Sequence, residues 1–201
     1  VQHHHAHLAS CLAEHKVPPG EPAIGVIFDG TGLGPDGAIW GGEILIGGYD
    51  GFRRFAHLRY VPLPGGDAAT LRPYRTALAH LRSAGLPWDA DLPPVVAAPP
   101  QEQTIIRQQL EKRLNTPLTS SMGRLFDAAA ALCGVLQEVT YEAQAAIWLE
   151  ALADPDETGA YPFAIARGED GTYLLGPAPL LRALLHERRE SVPVPILSAR
   201  F

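Results

Sequence analysis

The sequence predicts an α/β protein in which one sheet is flanked by helices. Three segments near the start, at residues 23–28, 38–48 and 52–63, have the apolar or alternating pattern of strands. From about residue 68 onward, most segments instead repeat apolar residues at helical spacing. Four glycines lie in the turn between the first two strands, Asp29 to Gly37. Strands followed by helices in this way are typical of a sheet covered by helices.

The composition bounds the class of protein. A chain of 201 residues with 46% hydrophobic residues can form one large or two small domains with a real core. A net charge of -6 argues against a nucleic-acid partner, which requires a basic surface. No apolar stretch approaches the roughly 20 residues that span a bilayer, and no secretion signal precedes the first helix. We therefore expect a soluble, cytoplasmic protein with no membrane partner. Because Val1 lies inside a predicted helix, we also expect a piece of a longer protein.

Residues 1–15 are predicted to form a helix that carries a histidine run. On a helix, His3 and His7 stand one turn apart on one face, where two imidazoles can share a ligand. His4 and His5 point off that face, so we expect them to pack or to support the ligands. The run is broken by Ala6 and continues into an amphipathic helix, which a purification tag does not do.

The glycine turn is the second candidate feature. Glycines permit positive φ angles and let backbone N–H groups approach an anion such as phosphate. Asp29 ends the incoming strand, and its carboxylate would repel phosphate, so its natural role is to hold a metal beside it. The histidines of the first helix supply further ligands. The alternative is a plain hairpin loop, and without a lysine the turn is not a Walker phosphate loop.

The middle of the chain predicts helices separated by proline-rich connections. A turn at residues 64–67 places Asp67 as the N-cap of a helix at 68–83. Residues 86–100 are predicted to be a loop, 101–114 a helix and 115–119 a loop.

The last third predicts mostly helical structure. A helix follows Ser120, with Ser121 either as its cap or facing a nucleoside. Further helices are predicted at 141–153 and about 179–189, short strands at 163–166 and 173–175, and one more element at 194–201. Cys11 and Cys133 lie in apolar helical patterns, which predicts buried, reduced thiols.

Four ordered stretches resemble the HypF family, the carbamoyltransferases that mature nickel–iron hydrogenases. They are Val-Gln-His-His-His-Ala-His at residues 1–7, the glycine turn through Trp-Gly-Gly-Glu at 29–43, the segment 56–67, and Ser-Ser-Met-Gly-Arg-Leu-Phe-Asp at 120–127. The resemblance covers the whole chain and places it in the C-terminal part of that family. This region is similar to the metal-dependent ATPases that make threonylcarbamoyladenosine in tRNA. The resemblance thus implies an actin-like, ribonuclease-H-like ATPase fold, present in part.

The resemblance also implies site residues. In the related proteins, two histidines four residues apart bind iron or zinc beside nucleotide phosphates, a role that falls on His3 and His7. Asp29 resembles the matching carboxylate ligand, and these three are the implied catalytic residues. The implied nucleotide contacts lie in two stretches: Gly30, Thr31, Gly32 and Gly34 in the phosphate hairpin, and Ser120, Ser121, Gly123 and Asp127 beside the nucleoside.

The family chemistry defines the expected activity. Carbamoyl phosphate and ATP give carbamoyl-adenylate in a preceding domain, and the carbamoyl group then passes to the C-terminal cysteine of HypE for cyanide ligand synthesis. The chain, residues 1–201, corresponds to part of the carbamoyl-transfer domain, with a strand-rich metal and phosphate part at about 1–85 and a helix-rich nucleoside part at about 101–201.

Two departures from the family pattern bear on activity. Ala143 replaces a usual glycine, and the family continues beyond Phe201 with another aspartate ligand. We therefore expect this chain to be inactive alone. The alternative function is a metal- and nucleotide-binding actin-like module without turnover of its own. An actin-like sugar kinase would require a catalytic aspartate and a sugar pocket that the sequence does not identify.

Overall fold

The computed structural model describes all residues from 1 to 201, which form nine helices and seven strands. The helices are α1 (His3–Glu14), α2 (Asp67–Leu71), α3 (Pro73–Ser83), α4 (Pro93–Ala97), α5 (Pro100–Lys112), α6 (Met122–Cys133), α7 (Gln144–Leu152), α8 (Ala178–Arg189) and α9 (Val194–Arg200). The strands are β1 (Ala23–Leu33), β2 (Ile39–Gly47), β3 (Phe52–Leu58), β4 (Val61–Pro62), β5 (Leu118–Thr119), β6 (Ala164–Arg167) and β7 (Tyr173–Gly176). The predicted α/β class is confirmed.

The chain divides into two compact units that are discontinuous in sequence. The first comprises residues 1–60, 119–123 and 165–176, and the second comprises 61–118, 124–164 and 177–201. These boundaries do not coincide with the expected division at about 1–85 and 101–201, because short segments from the second half of the chain belong to the first unit.

The first unit is built on the predicted three-stranded meander. β2 pairs antiparallel with β1 along one side and with β3 along the other. Beyond the end of β3, Thr119 of β5 pairs in parallel with Ile39 of β2. β7 then pairs in parallel with β3. Helix α1 packs on this sheet through a small apolar core that shares Leu8, Leu12, Ile27, Ala38, Trp40 and Leu45.

The glycine turn differs from the prediction. Strand β1 continues to Leu33 and the chain reverses only after it, so a hairpin tip over all of Asp29 to Gly37 is wrong. Phe28 pairs with Gly42 and Gly32 pairs with Trp40, so residues 29–31 oppose the single residue 41. This is a β-bulge with two extra residues on β1, a feature that bends a strand and redirects a side chain. The bulge, and not a turn, presents Asp29.

The second unit is mostly helical. The predicted helix at 68–83 is split by Pro73, which has no backbone N–H to continue α2 and instead begins α3. Asp67 is in the first turn of α2, and the N-cap is Gly66 with no side-chain hydrogen bond, so the predicted Asp67 cap is wrong. Arg75 is buried and pairs with Glu102, which links α3 to α5.

Several other boundaries differ by a few residues. The predicted loop at 86–100 contains α4, and the predicted loop at 115–119 ends in β5. Helix α7 begins at Gln144 and not at Tyr141, because Ala143 adopts a left-handed conformation with φ of 60°. Cys133 is buried as predicted, but Cys11 is exposed, so its predicted burial is wrong. It lies on the part of α1 that the sheet does not cover.

None of the nine helices is both long and apolar enough to cross a lipid bilayer.

Candidate functional site

Three potential metal ligands converge where α1 meets the bulge of β1. The ligand atoms of His3, His7 and Asp29 all lie within 4.8 Å of one another. Nε2 of His3 is 2.8 Å from Oδ2 of Asp29 and 3.2 Å from Nε2 of His7, and the His7 nitrogen is 3.9 Å from the same oxygen. The structure thus brings together the three residues to which the sequence assigned the metal.

The donor set fits a transition metal. Two imidazole nitrogens and one carboxylate oxygen suit zinc and ferrous iron alike. Ligand atoms bound about 2.0–2.2 Å from one tetrahedral ion lie about 3.4 Å apart, and the observed separations of 2.8 to 3.9 Å bracket that value. The three side chains are 49%, 53% and 26% exposed, so an ion and its further ligand can reach them.

The backbone of the bulge holds Asp29 as a carboxylate. The Gly30 N–H donates to Oδ1 at 2.6 Å, while His3 contacts Oδ2. Burial alone would raise the pKa of Asp29, but the hydrogen bonds from Gly30 and His3 outweigh it and lower that pKa below its ordinary value. The oxygens are therefore charged and available to a cation near neutral pH.

Helix α6 begins against the bulge. The Ser121 hydroxyl lies 2.9 Å from the carbonyl oxygens of both Asp29 and Gly30, to which it donates. A Cβ on Gly123 would stand 2.9 Å from the Cα of Gly30, so only glycine permits this close approach. Ser121 and Gly123, which were predicted to contact the nucleoside, thus support the backbone that carries Asp29.

The remaining predicted residues have different surroundings. Thr31 is exposed and its hydroxyl donates to the Gly30 carbonyl, while the Gly34 N–H donates to Ala38 across the turn. Gly32 lies under the ring of His4, which a Cβ at this position would overlap. Ser120 is buried and donates to Glu43 at 2.5 Å.

Asp127 belongs to the second compact unit. It is buried, and Nη1 of Arg124 lies 3.0 Å from its Oδ2. The two residues are three positions apart on α6 and form an ion pair. Burial raises the pKa of Asp127 to about 6, against the opposing effect of Arg124.

A buried ionic network in the middle of β2 was missed at the sequence level. Glu43 is fully buried, and its Oε2 accepts a hydrogen bond at 2.6 Å from Nε of Arg54. The guanidinium of Arg54 stacks 3.8 Å from the ring of Trp40 and donates to Ser120 and Tyr60. The sequence did contain a signal for this network, which is a single acidic residue inside an apolar strand. Because a buried charge is almost always paired, such a residue indicates a basic partner nearby.

His4 also proves to be part of the site. Its side chain is fully buried, and Nε2 lies 3.6 Å from Oδ2 of Asp29. Burial lowers the pKa of His4, and the carboxylates of Glu43 and Asp29 oppose that effect. His5 instead faces the sheet, with Nε2 2.8 Å from the carbonyl oxygen of Gly48.

Comparisons with known proteins identify relatives of the chain. The second subdomain of the carbamoyltransferase Kae1-like domain matches residues 25–201. The carbamoyltransferase HypF of Rhodobacter capsulatus is 47% identical over 187 residues, which cover 92% of this chain and 24% of the relative. HypF2 of Cupriavidus necator is 49% identical over 156 residues, covering 77% of this chain and 18% of the relative.

A solved structure gives the same result. The crystal structure of full-length HypF in the phosphate- and nucleotide-bound form superposes with a TM-score of 0.88 at 40% identity, covering all of this chain and 26% of that one. The chain therefore spans about a quarter of the length of the relatives it matches. The predicted resemblance is confirmed, and with it the actin-like Kae1 fold: this chain belongs to the HypF carbamoyltransferase family.

Proposed function

We propose that this chain is the metal- and nucleotide-binding part of a carbamoyltransferase that acts on a protein thiol. The observation that carries the proposal is the convergence of His3, His7 and Asp29 beside the bulge of β1. A similar chain has been crystallised in a phosphate- and nucleotide-bound form, which supports a nucleotide as the ligand. In this proposal, the ion is iron or zinc.

The residues of the site have separate tasks. His3, His7 and Asp29 hold the ion, which when bound supplies the positive charge that clamps phosphate oxygens and polarises a carbonyl group. The Gly30 N–H already donates to Asp29, so we assign to it the orientation of the carboxylate and not a direct phosphate contact. We assign the phosphates to the exposed side of the bulge, next to Thr31. The space beside Gly32 and Gly34 is already filled by the rings of His4 and Trp40.

The reaction that we propose is transfer from carbamoyl-adenylate to the C-terminal cysteine of HypE. The acceptor sulfur forms a bond to the carbamoyl carbon as the bond from that carbon to the phosphate oxygen breaks. AMP leaves with the electron pair, and the thiol proton passes to solvent. The thiocarbamate product then serves cyanide ligand synthesis.

The buried cysteine of this chain is not suited to be the acceptor. Burial raises the pKa of the Cys133 thiol to about 12, so this sulfur remains a thiol and is closed to solvent. The acceptor thiolate comes from the partner.

The first experiment measures metal. The chain is purified without oxygen and analysed for iron and zinc, together with His3→Ala, His7→Ala and Asp29→Ala. Each substitution is expected to remove most of the metal, because two remaining ligands bind weakly. His15→Ala is the matched control, since His15 is an exposed histidine at the end of the same helix. Equal metal content in all five proteins would contradict the site.

The second experiment measures transfer. A chimera replaces the matching 24% of the Rhodobacter capsulatus relative with this chain, and a HypE peptide is analysed by mass spectrometry for one added carbamoyl group. We expect transfer by the chimera with carbamoyl phosphate and ATP, and none by its His3→Ala form. Transfer by the His3→Ala chimera at the original rate would refute the assigned role.

A second candidate function follows from the share of its relatives' length that this chain spans. Because the chain spans about a quarter of its relatives, it is also a candidate for a module that binds metal and nucleotide without turnover of its own. We expect the isolated chain to bind AMP and metal but not to modify the peptide, even when carbamoyl-adenylate is supplied. Modification by the isolated chain would exclude this alternative.

A further inference from the structure

The side chain of Gln2 has a fixed orientation. Gln2 is the N-cap of α1, and its Oε1 accepts a hydrogen bond at 2.9 Å from the backbone N–H of His5. Because a backbone N–H can only donate, the atom it contacts must be the amide oxygen. The amide NH₂ group is thereby directed at His4, and Nε2 of Gln2 lies 3.0 Å from Nδ1 of that ring.

This contact determines the tautomer of His4. An amide nitrogen donates and does not accept, so Nδ1 of His4 must be the acceptor. A neutral imidazole with its lone pair on Nδ1 carries its proton on Nε2. The N-cap of the helix therefore makes Nε2 of His4 a hydrogen-bond donor.

The donor points at the metal site and has no partner. His4 is fully buried, and its Nε2 makes no hydrogen bond. The nearest charged acceptor is Oδ2 of Asp29, 3.6 Å away. Buried N–H groups in native proteins almost always have an acceptor, so a lone one next to a carboxylate requires an explanation.

The ring cannot easily turn away. It packs over Gly32, where a Cβ would overlap Cε1 of the imidazole, and its centroid is 6.2 Å from that of Trp40. The Asp29 side chain is 26% exposed, so it is less tightly enclosed than the fully buried His4 ring. A shift of its carboxylate by about half an ångström brings Oδ2 within hydrogen-bond distance of Nε2.

We propose that His4 is a positioning residue for Asp29, with its Nε2–H held in place by Gln2. A metal bound to Nε2 of His3 would replace the hydrogen bond between His3 and Oδ2 of Asp29. The Nε2–H of His4 would then donate to the Asp29 carboxylate and direct the remaining lone pairs of that carboxylate at the ion. The inference rests on the proposed metal function. Supporting hydrogen bonds of this kind typically change metal affinity by about 10-fold to 100-fold.

The test reverses the tautomer. In the Gln2→Glu variant, one oxygen of the new carboxylate can still cap the helix, but the other can only accept a hydrogen bond. A neutral His4 ring must then carry its proton on Nδ1 and present a bare Nε2 to Asp29. We expect zinc affinity, measured by competition with a chelating dye, to fall about tenfold. Ala6→Glu adds the same charge to an exposed position of the same helix and is the matched control.

Two further measurements make the result specific. The ¹⁵N shifts of the His4 ring in the metal-free chain should show the proton on Nε2 in the original protein and on Nδ1 in Gln2→Glu. His4→Gln retains an amide donor near the position of Nε2 and should bind zinc within about threefold of the original, whereas His4→Leu should lose about tenfold.

The outcomes separate the two proposals. A His4 proton on Nδ1 in the original chain, or equal zinc affinity in Gln2→Glu and Ala6→Glu, would overturn the role of His4 and leave the metal site intact. A complete lack of zinc and iron binding by the original chain would overturn the proposed function, and the positioning role with it.

Discussion

Glu43 and Arg54 form an ion pair inside the first unit, with Oε2 and Nε 2.6 Å apart on neighbouring strands. The glutamate is fully buried, and the arginine side chain is 14% exposed. The same carboxylate accepts hydrogen bonds from Ser120 and from the backbone of Gly41. The pair thus ties the strand opposite the bulge to the segment that leads into α6.

Removal of one partner should be costly. Arg54→Met leaves the Glu43 carboxylate buried without its main counter-charge, and we expect it to lower the free energy of unfolding by about 3 kcal/mol. Urea denaturation followed by circular dichroism measures this loss. Arg53→Met is the matched control, because Arg53 is an exposed neighbour on the same strand.

The double variant tests the cause. Arg54→Met combined with Glu43→Gln removes both charges and should recover part of the lost stability. The loss of stability in the Glu43→Gln single variant is measured as well. If the double variant is less stable than Arg54→Met by that full loss, the two charges are not coupled.

His80 is a buried imidazole with no hydrogen-bond partner on either nitrogen. Such a group costs free energy in the folded state, so His80→Leu should stabilise the protein by about 1–2 kcal/mol at pH 7.5. Chemical denaturation measures the change. His186→Leu, an exposed histidine on α8, is the control and should have little effect.

His80 also predicts a pH dependence. Burial lowers its pKa from 6.5 to about 4, so below pH 6.5 the unfolded chain binds a proton that the folded chain does not. The free energy of unfolding is therefore highest above pH 6.5, and protonation of the unfolded chain lowers it by roughly 3 kcal/mol in total as the pH falls towards 4. His80→Leu should flatten the stability profile across this window. An unchanged slope between pH 6.5 and 4.5 would show that His80 does not titrate as described.

Gly32→Val tests the meaning of the glycine stretch. The sequence assigned Gly32 to phosphate approach, whereas the structure places the His4 ring where a Cβ would be. We expect the variant to displace His4 and to lower stability by about 1–3 kcal/mol, in addition to any loss of nucleotide binding. Thermal unfolding and calorimetric titration with AMP separate the two effects. Gly51→Val is the control, since no atom lies within 4 Å of its Cβ position. A fully stable Gly32→Val protein that no longer binds AMP would favour the phosphate role alone.

Ser121→Ala removes the hydroxyl that donates to the carbonyl oxygens of Asp29 and Gly30. We expect a loss of about 1 kcal/mol in stability, together with a weaker metal affinity as the bulge loosens. Ser10→Ala is the comparison, because Ser10 is exposed and its hydroxyl bonds only within α1. Unchanged metal affinity in Ser121→Ala would restrict this serine to a structural or nucleoside role.

The local features of this protein follow from its sequence alone. Helical spacing places His3 and His7 on one face of α1, and the alternation of apolar residues predicts the meander of β1, β2 and β3. These patterns depend on residues a few positions apart, which the backbone geometry relates directly. The split of the helix at Pro73 had a local signal too, since proline cannot continue a helix.

How those elements meet was visible only in the folded chain. The register of β1 against β2 makes residues 29–31 oppose Gly41, and that bulge turns Asp29 towards the histidines. The partners of Glu43 and of the Asp29 carbonyl come from positions as far as 77 and 92 residues away. Strand register and long-range hydrogen bonds depend on the packing of the whole unit, because no periodicity within one segment specifies which distant segment lies beside it. The candidate metal ligands can thus be recognised from short stretches of the sequence, whereas the tertiary fold brings His3, His7 and Asp29 together into one site.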